Sequence, residues 1–295
     1  MEKITVRTDP KMESRRGSET SITARTPLSA SLPLAGPLWP PIGSQTYPHR
    51  QRISDGDFGG LCRDMAAIGI RDVEMCDPIS YPEFGILRDG KQVRKILDDH
   101  GLNCPSGHFG LDALRTSQQE LIAWAQEIGM TQIGTASLRG EMRNGIVTMD
   151  AVKRAADEYN RIAVDTSAAG LQQFLHDEDF EIAKVEGDGR LAYTVLLDLL
   201  DSELVKMQFQ ISAMTVVGDP IEYFRGYPGR FISMHLQGVD LNDQTRAWRV
   251  AVGQDSLDWP GIFQAAKIGG LKNYFVELNW DLTKESVAYL RTINL

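Results

Sequence analysis

The sequence predicts a single parallel (β/α)₈ barrel, and three observations support this fold class. From Pro41 onward, eight short apolar segments that resemble strands alternate with eight segments of helical spacing. Strands that alternate with helices in this way form a parallel sheet, and eight such units in roughly 255 residues match a closed barrel. No glycine-rich phosphate-binding turn follows an early strand, so neither an open doubly wound sheet nor a nucleotide cofactor is expected.

The predicted elements follow one another along the chain. The strands are Ile42–Tyr47, Asp72–Cys76, Leu102–His108, Gln132–Ala136, Leu171–His176, Val205–Ile211, Arg230–Leu236 and Tyr274–Leu278. The helices are Phe58–Ile68, Gln92–His100, Gln118–Ile128, Met149–Ala168, Tyr193–Leu200, Pro220–Gly226, Trp259–Ile268 and Glu285–Ile293. Gly69 and Gly129 follow helical segments, where a left-handed residue commonly ends a helix. Asp258, directly before Trp259-Pro260, is a predicted N-cap.

Composition separates a short extension from the barrel. Residues 1–39 are rich in Ser, Thr, Pro and Arg and hold no aromatic residue before Trp39, so we expect a disordered extension. Residues 40–295 are expected to form the barrel. Arg15-Arg16, followed by the mildly apolar stretch Leu28–Leu38, resembles a degraded twin-arginine export signal. We expect a cytoplasmic protein, with export to the periplasm through this signal as the alternative.

The overall charge bears on the partners that the chain could bind. A formal net charge of −9 and a pI near 5.1 argue against a nucleic-acid partner, which would need a basic stripe. No apolar run reaches the length of about 18 residues that a membrane span requires. The sequence shows no cluster of arginines that would indicate an acidic sugar ligand. A small carbohydrate is the expected partner, and an oligomeric assembly remains open.

Alternation along the strands directs polar side chains into the barrel. Successive strand residues face opposite sides, so Lys206, Gln208 and Gln210 share the face that is opposite to their apolar neighbours. The same alternation gives further inward candidates: Glu74, Ser106, His108, His176, Glu178, Ser233, His235 and Glu277. An unsatisfied buried polar group costs roughly 1–3 kcal/mol, so these groups must bond each other, water, a metal ion or a ligand. Barrel enzymes keep their chemistry at such strand ends.

Several segments, met in order along the chain, carry a resemblance to a known family. They are Gly69–Glu74, Ser106–Phe109, Leu175–Glu181, Glu203–Gln210, Tyr227–His235, Val252–Gln254 with Asp258-Trp259, and Tyr274–Glu277. The Tyr-Pro-Gly-Arg…His and Tyr-Phe-Val-Glu segments are the most specific. From about Ile42 to its C-terminus the chain resembles the xylose-isomerase-like TIM barrels, the sugar phosphate isomerase/epimerase family that also includes apurinic endonucleases.

The resemblance implies a divalent metal ion held by Glu on the fifth strand, Asp on the sixth, His on the seventh and Glu on the eighth. The corresponding positions here are His176, Gln210, His235 and Glu277, and the first two depart from the pattern. Zinc, manganese and cobalt are the candidate ions for this set, in which imidazole replaces a carboxylate. Glu178, on the same strand face as His176, could restore a second carboxylate. Loss of the metal ion is the alternative.

The resemblance also implies proton abstraction next to a carbonyl of a sugar, keto-sugar or inositol derivative. Glu277 is the candidate base, or Glu178 if it is not a metal ligand, and His108, the third catalytic candidate, could hold a hydroxyl or carbonyl oxygen of the sugar. Two alternatives stay open: a non-catalytic carbohydrate-binding barrel that has lost its metal site, and a keto-sugar lyase or dehydratase.

Other residues are candidates for holding the sugar itself. Glu74, Lys206 and Gln208 are the candidate substrate-binding residues, because their polar groups are predicted to face the barrel interior. Aromatic rings suit the apolar faces of sugars, and the candidates for such a floor are Trp39, Tyr47, Phe109 and Trp280.

Overall fold

The computed structural model describes residues 40–241 and 250–295 and shows a closed barrel of eight parallel strands. The strands are β1 (Gly43–Gln45), β2 (Asp72–Met75), β3 (Asn103–Phe109), β4 (Gln132–Thr135), β5 (Gln172–Leu175), β6 (Val205–Gln210), β7 (Phe231–Leu236) and β8 (Asn273–Val276). β1 pairs with both β2 and β8, which closes the sheet. The predicted (β/α)₈ barrel is confirmed, whereas the predicted disordered extension, with Trp39, lies outside the described residues.

Helices cover the outside of this barrel. The main helices are α1 (Phe58–Ile68), α2 (Gly90–Asp99), α3 (Gln118–Ile128), α4 (Met149–Ala168), α5 (Ala192–Leu199), α6 (Pro220–Gly226), α7 (Trp259–Gly269) and α8 (Trp280–Leu290). Shorter helices lie at Tyr47–His49, Arg50–Ser54, Pro82–Leu87, Leu111–Thr116 and Ile211–Met214. Three two-residue strands form a small separate sheet: Met142–Arg143, Ile146–Val147 and Lys184–Val185. Within the described residues, no helix is long and apolar enough to cross a membrane.

Local sequence explains most of the helix ends. Gly69 and Gly129 follow α1 and α3 with φ angles of 104° and 86°, a left-handed conformation that side chains disfavour. The Asp258 carboxylate accepts a hydrogen bond from the backbone N–H of Gly261 at 3.1 Å and so caps α7 as predicted.

The last helix starts earlier than its sequence pattern predicts. α8 begins at Trp280 rather than Glu285, because the side chain of Asn279 accepts a hydrogen bond from the backbone N–H of Leu282 at 3.1 Å. This cap follows β8 almost directly, so the loop at the carboxyl end of β8 is short.

The apolar core lies between the sheet and the helices, as the alternation predicts. Val205, Met207 and Phe209 of β6 are fully buried, and the Phe209 ring packs against Phe224 of α6 with ring centroids 4.9 Å apart. The intervening polar residues of β6 face the other way. Since all eight strands are parallel, their carboxyl ends meet at one end of the barrel, where polar groups from distant segments come together.

Candidate active site

Buried polar side chains fill the barrel interior below the strand ends. This set, here termed the barrel network, consists of Glu74, Ser106, His108, His176, Gln208, Ser233 and His235. Gln208 is its centre: its amide nitrogen donates to Glu74 Oε2 at 2.7 Å and to Ser233 Oγ at 2.8 Å. Its Oε1 bonds His176 Nδ1 at 3.0 Å and also His108 Nε2. The hydrogen-bonding capacity of Gln208 is therefore used within the protein.

His235 lies between two carboxylates. Its Nε2 is 2.5 Å from Glu74 Oε1 and its Nδ1 is 3.1 Å from Glu277 Oε2, so both ring nitrogens donate. Burial opposes the charged form, but the charges of Glu277 and Glu74 raise the pKa of His235 to about 10. Burial likewise opposes ionisation of Glu74, yet the charges of His108 and His235 lower the pKa of Glu74 to about 2. The interior thus holds a buried imidazolium.

The Glu277 carboxylate is held by one of its two oxygens. Oε2 accepts hydrogen bonds from Gln237 Nε2 at 2.8 Å, Gln210 Nε2 at 2.9 Å and His235 Nδ1 at 3.1 Å. Burial would raise the pKa of Glu277, but the charge of His235 outweighs it and the pKa is lowered. Oε1 has no hydrogen-bond partner within residues 40–241 and 250–295, and Glu277 lines a cavity. One oxygen of this cavity-lining carboxylate is therefore left without a bond from the described residues.

This cavity has a volume of about 570 Å³ and lies at the carboxyl ends of the strands. Glu277, Glu178 and His108 line it together. Burial raises the pKa of Glu178; the charge of His108 opposes this shift and that of Glu277 adds to it. The two glutamates therefore have pKa values that are displaced in opposite directions, the pattern of a paired base and acid.

The predicted site residues fall at different depths of the barrel. Glu277, Glu178 and His108 line the cavity, whereas five others are buried and do not line it: Glu74, His176, Gln208, Gln210 and His235. Lys206 shares the strand face of Gln208 but precedes it by two residues, roughly 6–7 Å along the strand. It does not line the cavity and forms no hydrogen bond with the barrel network, so the structure does not bring it to a substrate.

Two of the predicted aromatic residues also line the cavity. Tyr47 and Phe109 contribute to its wall, whereas Trp280 does not and packs edge-on against His49, with ring centroids 5.7 Å apart. These two aromatic residues come from the segment after β1 and from the last residue of β3.

The four residues that the resemblance implied as metal ligands do not fit a shared ion in this arrangement. Gln210 directs its amide nitrogen, a donor, toward Glu277 Oε2, and His235 directs an N–H toward the same oxygen. A metal ion needs lone pairs where these donors lie. The other amide atom, Gln210 Oε1, does not contact Glu277 and is buried without a hydrogen-bond partner in the described part of the chain.

A different group could hold a metal ion. His108, His176 and His235 each offer a ring nitrogen, and these atoms lie within 4.8 Å of one another. His108 Nε2 and His176 Nδ1 both bond Gln208 Oε1, and in the described part of the chain the other ring nitrogen of each has no hydrogen-bond partner. His235 would first have to lose a proton and one carboxylate partner. These three histidines could therefore hold a metal ion, and they share only His176 and His235 with the predicted quartet.

Sequence reasoning missed Gln237, which contacts Glu277. Ser233, His235 and Gln237 continue a single period-2 series, but the predicted strand ended at Leu236, one residue before Gln237. Gln237 is fully buried, donates to Glu277, and accepts a hydrogen bond from Ser212 Oγ. Extending the alternation by one residue would have found it.

Three residues in the loops around the cavity were also missed. Arg50, Tyr81 and Arg139 line it, and they belong to the segments that connect β1, β2 and β4 to the following main helices. Two of them are arginines, although the sequence shows no cluster of arginines. No sequence spacing relates these positions, because only barrel closure brings the loops together.

Solved structures share this fold. A sugar phosphate isomerase/epimerase from Parabacteroides distasonis is 22% identical with a TM-score of 0.69, over 85% of this chain and 93% of that chain. An L-ribulose 3-epimerase is 16% identical with a TM-score of 0.59, over 86% of each chain. The probable 3-DHS dehydratase from Bacillus anthracis is 13% identical with a TM-score of 0.64, over 85% of this chain and 98% of that chain.

These comparisons define the architecture of the chain. No protein-family model matches the sequence, and no curated protein matches it. The chain has the fold of the xylose isomerase-like TIM barrels, as the resemblance in the sequence predicted.

Proposed function

We propose that the protein is an enzyme that transfers a proton next to the carbonyl of a sugar, keto-sugar or inositol derivative, as isomerases and epimerases do. The observation that carries this proposal is the geometry of Glu277. Three donors hold its Oε2, and its Oε1 is left for the cavity. A fixed, charged carboxylate in a cavity is what proton abstraction from carbon requires.

The other cavity residues fit the remaining roles. Glu277 Oε1 would take the proton from the carbon, and Glu178, whose pKa is raised by burial, would donate a proton to the carbonyl oxygen as negative charge develops there. If Glu277 returns the proton to the former carbonyl carbon while Glu178 takes back a proton from the neighbouring hydroxyl, the result is isomerisation. If an acid on the opposite face protonates the original carbon instead, and Glu178 takes back the proton of the enol oxygen, the result is epimerisation. His108 bonds Gln208 through Nε2 and lines the cavity, where its ring would hold a sugar hydroxyl.

A metal ion, if bound, would be held by His108, His176 and His235. Imidazole ligands favour zinc or cobalt over manganese, and such an ion would supply polarisation of the carbonyl. The roles proposed for Glu277 and Glu178 do not depend on such an ion.

Deuterium exchange from heavy water into a panel of keto-sugars and keto-inositols tests the proposal. The assay is run with a chelator, and separately with added zinc, cobalt or manganese. We expect the wild type to place deuterium on the carbon next to the carbonyl. Glu277→Gln should slow this exchange at least about 100-fold, while Glu203→Gln, an exposed glutamate at the opposite end of β6, should exchange normally.

The same assay separates the alternatives. Exchange that persists in Glu277→Gln removes Glu277 as the base. A wild type that binds sugars but exchanges with none of them favours the non-catalytic binding barrel.

A keto-sugar lyase or dehydratase is the second candidate. Elimination needs an acid for the leaving hydroxyl as well as a base, and Glu178, with its raised pKa, lies in the same cavity as Glu277. The resemblance in fold to a probable dehydratase agrees with this candidate. Loss of water from the labelled sugar, detected by mass, would distinguish it from isomerisation.

A further inference from the structure

Two arginines and two tyrosines lie together on the wall of the cavity. This set, here termed the arginine mouth, consists of Tyr47, Arg50, Tyr81 and Arg139, which come from three different loops. The guanidinium carbon of Arg50 lies 4.6 Å from the centre of the Tyr47 ring, and its Nη1 donates to the Tyr47 carbonyl at 3.3 Å. The Tyr47 and Tyr81 rings are 5.8 Å apart, so Arg50 and both rings form one continuous surface.

Arg139 lines the same cavity as Tyr81 and Glu178. Burial raises the pKa of both Tyr81 and Glu178, and the positive charge of Arg139 opposes each shift. Its guanidinium is therefore close enough to act on a mouth tyrosine and on Glu178. Both arginines are exposed, so a ligand could reach them from solvent.

The backbone of Arg139 is held in an unusual conformation. Its φ angle is 47°, one of two positive values among the described residues other than glycine, and such strain persists where the surroundings fix it. Here the buried Glu181 fixes it, accepting from the backbone N–H of Leu138 at 2.8 Å and from Ser137 Oγ at 2.9 Å. Ser137 Oγ in turn accepts from the backbone N–H of Arg139 at 3.2 Å.

Neither arginine is neutralised by a carboxylate within the described residues. Three acidic residues line the cavity: Asp77, Glu178 and Glu277. The Asp77 carboxylate accepts from the backbone N–H groups of Ile79, Ser80 and Gly110. No ion pair joins Arg50 or Arg139 to Glu178 or Glu277. Two unpaired guanidinium groups thus face a cavity in a chain with a formal net charge of −9.

We propose that the arginine mouth binds an anionic group of the sugar, so that the substrate is an acidic sugar carrying a carboxylate or a phosphate. A guanidinium offers a planar pair of donors that matches both groups. The aromatic rings would support the sugar between this anchor and Glu277. The claim that the bound sugar is a substrate rests on the proposed function. Binding measurements alone test whether the arginine mouth is an anion site.

Calorimetric titration tests the arginine mouth. The probes are D-glucuronate and D-glucose 6-phosphate, with D-glucose as the neutral counterpart of both. We expect at least one anionic probe to bind about tenfold or more tightly than glucose, with an affinity that falls as salt is added. The preferred probe distinguishes a carboxylate site from a phosphate site. Arg139→Gln and Arg50→Gln should each reduce the preference severalfold or more.

Arg143→Gln is the matched control, because it removes the same charge from the same loop region at a residue that does not line the cavity. Equal binding of all three sugars, or a preference that Arg139→Gln and Arg50→Gln leave intact, would overturn the proposal.

Glu277→Gln separates the anion site from the proposed reaction. If it retains anion preference while no sugar exchanges deuterium in the wild type, the mouth stands and the proposed reaction fails. If neutral keto-sugars exchange readily without any anion preference, the reaction stands and the mouth fails.

Discussion

The barrel network and the arginine mouth are both polar, but they use their polar groups in opposite ways. In the network, Gln208 gives all its hydrogen bonds to protein neighbours, and the charge of His235 is balanced by carboxylates on both sides. In the mouth, Arg50 and Arg139 have no carboxylate partner within the described residues. The network therefore stabilises and positions, whereas the mouth is free to bind. The groups that recognise a ligand are those that the fold leaves unsatisfied.

The largest expected effect is on the free energy of unfolding, which should differ between variants of the barrel network and of the arginine mouth. Glu74→Leu leaves His235 buried with one of its two carboxylate partners, and breaking a buried ion pair costs roughly 3–5 kcal/mol. Arg139→Gln should change the free energy of unfolding by less than about 0.5 kcal/mol, because exposed substitutions are nearly neutral. Urea denaturation of both variants measures the difference. Equal losses of stability would mean that the two regions are not distinct.

A smaller effect is expected at the acid of the cavity. Glu178→Gln keeps the shape of the side chain but removes the proton that we assign to the carbonyl oxygen, so turnover should fall roughly 100-fold. The raised pKa of Glu178 predicts that wild-type activity is lost as the pH rises through that pKa and the acid ionises. Rate measurements against pH check both points. If Glu178→Gln still loses activity as the pH rises, a group other than Glu178 causes that loss.

Gln237 tests whether a buried donor positions the base. Gln237→Leu removes one of three donors from Glu277 Oε2, and a hydrogen bond to a charged group contributes roughly 1.5–3 kcal/mol. We expect about a tenfold or greater loss of kcat. Because the charged form of Glu277 loses a donor, its pKa rises and the acid limb of the rate profile moves to higher pH. Gln237→Lys restores a donor and should recover part of the rate; an unmoved acid limb would reduce Gln237 to a packing residue.

The smallest effect is expected at Lys206. The structure places it outside the cavity and below Gln208, so Lys206→Met should alter KM by less than about twofold. Steady-state kinetics on the substrate that the exchange assay identifies will measure this. A tenfold rise in KM would restore the substrate-binding role that the sequence suggested.

Strand alternation predicted the barrel and the inward direction of its polar residues, but it could not predict depth. Alternation specifies only which face of the strand a residue occupies, so it makes Lys206, Gln208 and Gln210 equivalent. Their contacts differ because they lie at different positions along β6. Nor could it show that Gln210 directs a donor at Glu277, since that depends on how the amide is rotated. The sequence did not predict Arg50 and Arg139 as site residues, because no periodicity relates residues of different connecting segments.

The most direct test is a crystal structure of the protein with the acidic sugar that titration selects. The account predicts a carbon next to the carbonyl at about 3–3.5 Å from Glu277 Oε1, the reach of a productive complex, with the anionic group at Arg139 or Arg50. A sugar bound away from Glu277, or with its anionic group turned from both arginines, would contradict it.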